Sequence, residues 1–275
     1  MRLGIFAKTF PGDRPEPVLR AAREAGFEWV QWNMACSGLG ALPTTIPQAA
    51  IREICEATEQ TGVGLVAVSA TYNMIHPDRA AREEGRAAFA AIAGAARAMG
   101  TGAITLCTGS RDAEDQWRHH PDNAGPEAWT DFLAEMRLVL PLARAAKVNV
   151  LVEPELANVV SSPQRALDML VALEWPSNLG IVLDPANLSE RAPDLATVEA
   201  AVNLLFPRIS LAHAKDKDAE GRVVPAGQGV IDFEHFFWRL RTAAFDEGVV
   251  VTHGLSAADA PAAALHLLRC MGYEA

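Results

Sequence analysis

The sequence predicts an α/β fold, a single (β/α)8 (TIM) barrel spanning residues 1–275, on three observations. Eight short apolar runs recur along the chain, and Ala-rich amphipathic stretches lie between them. The repeat averages about 34 residues, close to the roughly 30 expected of one βαβ building block. An open, doubly wound sheet competes for such a pattern. It usually carries a Gly-rich turn after its first strand, and Lys8-Thr9-Phe10-Pro11-Gly12 is not one.

In chain order the strands are read as Leu3–Ala7, Trp29–Trp32, Val63–Ser69, Ala103–Cys107, Val148–Val152, Ile181–Leu183, Ile209–Ala212 and Val249–Thr252. Several are apolar throughout, as strands covered on both faces should be. Between them, Phe89, Ile92, Ala96 and Met99 share one helical face, and Phe233, Phe236, Phe237 and Leu240 follow the i, i+3, i+4, i+7 spacing. Gly125-Pro126, Ser162-Pro163 and Ala192-Pro193 each put proline where a first helical residue would sit.

Charge narrows the partners. The chain has 24 Lys and Arg against 34 Asp and Glu, a formal charge of −10. Nonspecific nucleic-acid binding requires clustered cations, and so does attachment to an anionic membrane, so neither partner is expected. No apolar stretch reaches the roughly 18 residues of a membrane span. The run from Met1 to Lys8 lacks a small-residue cleavage site and reads as a strand rather than a signal peptide. Cys36, Cys55, Cys107 and Cys270 form no C-x-x-C pair and read as small buried residues in a reducing compartment. A cytoplasmic protein is expected.

In a barrel, the residue just past the C-terminal end of each strand faces the active-site mouth. Strand five is followed by Glu153, strand six by Asp184, strand seven by His213 and strand eight by His253. Four consecutive apolar strands thus end in groups that can bind a metal. Singly, each has an ordinary alternative as a helix cap or a hydrogen-bonded rim residue. Together, two carboxylates and two imidazoles suit one divalent ion, Mn²⁺, Co²⁺, Fe²⁺ or Zn²⁺, better than Mg²⁺ or Ca²⁺.

Glu153-Pro154-Glu155, Leu183-Asp184-Pro185-Ala186-Asn187 and His213-Ala214-Lys215-Asp216 resemble the xylose isomerase-like TIM-barrel superfamily of sugar isomerases and epimerases. Gly227-Gln228-Gly229-Val230-Ile231-Asp232-Phe233 and the segment from Thr71 to Asp78 fit the same likeness, which spans essentially the whole chain. The resemblance implies Glu153, Asp184 and His213 as metal ligands. In ketose 3-epimerases of the superfamily the fourth ligand is a Glu that also serves as an acid/base, and His253 stands in that place here. A second relative, the zinc nuclease endonuclease IV, is disfavoured. Its Asp-x-x-His motif is broken by Asn187, its Asp-x-His motif is missing, and the chain is acidic.

The function expected from these residues is a metal-dependent sugar or cyclitol isomerase or epimerase, passing through an enediolate held on the metal. Alternatives are a lyase or hydrolase on the same ion, or a sugar-binding paralogue without catalysis. The substrate would be a small polyhydroxylated carbonyl compound, and a homodimer or homotetramer is compatible with the fold. Glu153 is the expected base, with His253 or Glu155 serving the opposite face and Lys215 steadying a developing enolate oxygen. His76, Tyr72 and Asn73 after strand three are candidate substrate contacts, as are Trp117 and His120 in the long segment from Thr108 to Gly125, which reads as a lid. Asn158, Asn187 and Arg222 complete the candidates as readers of substrate hydroxyls.

Overall fold

The computed structural model describes residues 1–273, and its centre is a closed ring of eight parallel strands. These are β1 (Arg2–Phe6), β2 (Trp29–Trp32), β3 (Gly64–Ser69), β4 (Ala103–Leu106), β5 (Asn149–Val152), β6 (Leu179–Leu183), β7 (Ile209–His213) and β8 (Val249–Thr252). Neighbours pair in chain order, and β1 closes the ring on β8 with Ile5 opposite Thr252. The strands differ from the sequence reading by a residue or two at their ends. The change that matters is in β7, which runs on to include His213.

Among the described residues eight α-helices follow the strands: α1 (Pro15–Glu24), α2 (Gln48–Thr61), α3 (Arg79–Ala96), α4 (Pro126–Ala145), α5 (Pro163–Ala172), α6 (Leu195–Leu205), α7 (Phe233–Thr242) and α8 (Ala260–Cys270). Their starts follow local chemistry. Ser162 caps α5 by accepting the Arg165 N–H, with Pro163 in the first turn, and Pro126 opens α4. The Ala192-Pro193 signal is misplaced by two residues. Asp194 accepts the Thr197 N–H and so sets the start of α6 at Leu195.

Two apolar layers hold the barrel. Leu151, Val182, Leu211, Val249 and Val251 fill its interior. The larger core lies between strands and helices, where Phe233, Phe236, Phe237 and Leu240 of α7 are each at most 1% exposed. Each such side chain contributes roughly 1.5–3 kcal/mol by leaving water. A short antiparallel ribbon, Asp216–Lys217 with Val223–Val224, rises from the rim after β7 and has no counterpart in the sequence reading. No helix among the described residues is long and apolar enough to cross a membrane.

Candidate metal centre

Parallel pairing brings the ends of β5 to β8 to one side of the barrel mouth. Val251 of β8 pairs with His213 of β7, and Leu183 of β6 with Ala212. The residues at or just after these strand ends therefore converge. Glu153, Asp184, His213 and His253 each offer one ligand atom, and these atoms all lie within 4.8 Å of one another. Glu153, Asp184 and His213 are buried, while His253 is partly open to solvent.

The donor set fits a divalent cation on two observations. His213 Nε2 lies 2.8 Å from Gln31 Oε1, and the Gln31 amide donates to Thr105 Oγ1 at 3.1 Å. That chain puts the imidazole proton on Nε2 and leaves a lone pair on Nδ1. Nδ1 then faces Glu153 Oε1 at 3.0 Å and His253 Nε2 at 3.1 Å. Glu153 Oε1 and His213 Nδ1 are then two acceptors pointed at each other, and they need a positive charge between them, from a proton or a metal ion. Second, Asp184 Oδ2 is buried and accepts no hydrogen bond. Its other oxygen takes the Ala186 N–H at 2.9 Å, so Oδ2 is the atom left to bind a cation.

Lys215 sits beside this group. Its ammonium donates to Glu155 Oε1 at 2.9 Å and Asn187 Oδ1 at 3.0 Å, and lies 3.4 Å from Asp184 Oδ2 and 3.7 Å from Glu153 Oε1. Burial opposes its charge, but the carboxylates of Asp184, Glu153 and Glu155 outweigh burial and hold its pKa above the usual lysine range. Burial likewise opposes ionisation of Glu153. When a proton rather than a metal ion fills the space at Nδ1, the charge of His213 together with that of Lys215 prevails, and the Glu153 pKa falls below the usual carboxylate range. Asp184 is lowered against its own burial chiefly by Lys215. Glu155 goes the other way, raised by burial and then by the charge of Glu153. Burial pushes His253 below the ordinary histidine value, which keeps it neutral and able to donate a lone pair.

Two residues of the centre were not singled out from sequence. Gln31 is the polar interruption in Trp29-Val30-Gln31-Trp32, and that interruption is its only sequence signal. Cys107 places its buried thiol 3.8 Å from Glu153 Oε2, and burial followed by the negative charge of Glu153 and Glu155 holds its pKa high. Asn187 belongs to the centre as well, but as a brace. Its amide donates to Glu153 Oε1 and the Pro154 carbonyl, each at 3.0 Å, while its oxygen takes Lys215. No atom is left over to read a substrate hydroxyl.

The remaining candidates lie elsewhere. Tyr72 points between α3 and α4, where its hydroxyl donates to Glu135 at 2.7 Å. Asn73 binds the backbone of Ser110 at both ends of its amide and also reaches the Asp112 carbonyl. Gly109 beside it has φ +81°, and a Cβ there would strike the Asn73 oxygen. Asn158 accepts the Gly109 N–H and donates to the Gln116 carbonyl. The Thr108–Gly125 segment is therefore bolted to the loops after β3 and β5, which is not the arrangement of a free lid. His76 spends both nitrogens on backbone, the Ala113 carbonyl and the Asp78 N–H. His120 caps the turn at Pro121 by accepting the Asp122 N–H. Trp117 is half exposed over a cavity of about 480 Å³ shared with Leu42, Tyr72 and Glu84, which none of the four clustered residues lines. Arg222 stands at the ribbon tip, 74% exposed and paired with Asp218 and Glu220.

Asp216 explains the ordered loop that follows. It accepts backbone N–H groups from Lys217, Gly227, Gly229 and Ile231 at 2.8–3.2 Å. A side chain on Gly229 would collide with that carboxylate.

With this geometry in hand, comparison with known proteins finds a match to the family described as xylose isomerase-like TIM barrel over residues 19–271. No curated protein matches the sequence. Among solved structures, 3-keto-D-glucoside 4-epimerase YcjR from E. coli superposes with a TM-score of 0.78 at 18% identity, covering 98% of this chain and 99% of that one. D-psicose 3-epimerase, solved in the presence of D-fructose, gives 0.76 at 14% identity over 99% and 100%. IOLI protein with a bound zinc atom gives 0.74 at 14% identity over 99% and 98%. At these identities the likeness speaks for the fold.

Proposed function

The chain belongs to the xylose isomerase-like TIM barrel family, and from that premise we propose that it is a divalent-metal-dependent isomerase or epimerase of a small polyhydroxylated carbonyl compound. The convergence of Glu153, Asp184, His213 and His253 carries this reading. These four residues would hold the ion. When bound, a divalent ion supplies Lewis-acid polarisation of a carbonyl and its neighbouring hydroxyl, which acidifies the adjacent C–H. The structural neighbours named as sugar epimerases, and the one with zinc, support the assignment of substrate class and cofactor.

The protein's own groups divide the remaining work. Glu153 is held as an anion by His213 and Lys215, which suits a ligand better than a group that must take and return a proton. Glu155 has the opposite bias, because burial and the Glu153 charge raise its pKa toward working pH. It is the proton carrier in this reading. His253, neutral and on the open side of the cluster, is either the fourth ligand or the second carrier. Asn187 fixes the mutual placement of Glu153 and Lys215.

The experiment is proton exchange. Metal-loaded protein is incubated with a panel of ketoses and cyclitol ketones in deuterated water. Deuterium should enter beside the carbonyl of at least one compound, and Glu155→Gln should abolish that exchange while keeping the metal. A product lighter by one water would move the assignment to a lyase. Binding without exchange or product across the panel would replace the enzyme with a sugar-binding protein.

A further inference from the structure

The rim holds more buried acid than one divalent ion neutralises. Glu153, Glu155 and Asp184 carry three negative charges within reach of Lys215. His213 and His253 bring none when they act as lone-pair donors. A single divalent ion leaves one negative charge over, and buried uncompensated charge is strongly unfavourable. The Lys215 ammonium removes it.

Position makes the same point. Two potential cation sites share Glu153: the four-residue cluster, and a second one made by Cys107, Glu153 and Glu155, whose ligand atoms also lie within 4.8 Å of one another. The ammonium lies between the two sites, 3.4 Å from Asp184 Oδ2 and 3.7 Å from Glu153 Oε1, and its one carboxylate hydrogen bond, 2.9 Å to Glu155 Oε1, is to the carboxylate that belongs to the second site alone. Asn187 holds it there at 3.0 Å. The Cys107 thiol is buried against Glu153 Oε2 and would be the third ligand of that second ion.

We infer that the Lys215 ammonium takes the place of a second metal ion, closing the Cys107–Glu153–Glu155 site and fixing the centre as mononuclear. Lys215 is then a positioning residue that sets metal stoichiometry. The inference rests on the one-metal reading above and adds what limits the site to one ion. Removing the ammonium should open the neighbouring site, since a second divalent ion would replace the lost charge and an adjacent cation can deprotonate a thiol.

Wild-type protein, Lys215→Met and Lys215→Arg are loaded with Co²⁺, dialysed and counted by elemental analysis, with absorption spectra in parallel. Wild type and Lys215→Arg should hold one cobalt per chain and show no thiolate-to-cobalt charge-transfer band. Lys215→Met should hold two, with that band present and absent again when Cys107→Ser is added. If Lys215→Met folds only with metal, the equivalents of Co²⁺ that restore its far-ultraviolet dichroism give the same count. Two cobalts in the wild type, one in Lys215→Met, or a Lys215→Met that cobalt does not fold would each overturn the inference. Zero cobalt in the wild type would instead remove the metal reading beneath it.

Discussion

Replacing Gln31 tests whether the metal-facing nitrogen of His213 is set by its neighbour. Gln31 is 6% exposed, and its oxygen is the acceptor for His213 Nε2 at 2.8 Å. Gln31→Leu fills similar space but leaves that N–H without a partner and Thr105 Oγ1 without a donor. One buried unsatisfied polar group costs about 1–3 kcal/mol, so the metal-free variant should melt lower by a corresponding amount. The larger consequence is for the ion. Without the acceptor, the imidazole can carry its proton on Nδ1, the atom pointed at Glu153 Oε1, and a protonated nitrogen cannot ligate. Losing such a supporting bond lowers metal affinity about 10–100-fold, or about 1.4–2.8 kcal/mol at ~1.4 per tenfold. Gln31→Glu keeps an acceptor there and should bind at least as tightly as the wild type. The assay is a Zn²⁺ competition titration against a chromophoric chelator, with thermal unfolding alongside. A Gln31→Leu protein that folds and binds zinc with unchanged affinity would refute the tautomer argument.

Two further outcomes are expected. Asp216→Ala strips four backbone N–H groups of their acceptor and should cost at least the roughly 1–3 kcal/mol of one buried unsatisfied donor in chemical denaturation. It should also speed proteolysis between residues 225 and 231, and an unchanged midpoint would contradict the role given to this carboxylate. The pH dependence of the metal-free protein follows from the lowered pKa values of Glu153 and Asp184. Their stabilising contribution is complete above the ordinary values of 4.5 and 3.8 and is lost as pH falls through the lower folded ones. His253, also lowered, begins to subtract stability as pH drops below its ordinary 6.5, because the unfolded chain then binds a proton that the folded chain refuses. Glu155, raised, works against His253 over the same range, so the fall in Tm from about pH 6.5 should be steeper in Glu155→Gln, and Glu153→Gln should flatten the limb below about pH 4.5. A Tm that does not change between pH 7 and 5 would contradict the His253 assignment, and one that does not fall further below about pH 4 would contradict those of Glu153 and Asp184.

The barrel and the four clustered residues were legible in the sequence for one physical reason. Strands covered on both faces must be apolar, so a run such as Val148–Val152 or Val249–Thr252 shows where it ends, and the polar residue after it is placed by the fold. The loops were not legible in the same way. Asn73, Asn158, His76 and His120 are polar residues near strand ends, as ligand-reading residues would be, yet the first three are consumed by backbone groups and His120 gives one nitrogen to a cap. Residue type cannot distinguish an amide that binds substrate from one that bolts two loops together. Tyr72 is turned by a remote partner, Glu135, 63 positions away on α4. Gln31 went unnoticed because its meaning depends on a histidine 182 positions distant. The ribbon that holds Arg222 at its tip consists of two-residue strands, too short to leave a periodic signal.

The most direct test of the central claim is anomalous diffraction from crystals of this protein grown with Mn²⁺ or Zn²⁺, measured on both sides of the metal's absorption edge. One peak is predicted in the barrel mouth, at roughly 2.0–2.2 Å from Glu153, Asp184 Oδ2, His213 Nδ1 and His253 Nε2. Lys215 should still be on Glu155. A mouth without a peak, or a peak that His213 and Asp184 do not touch, would contradict the account.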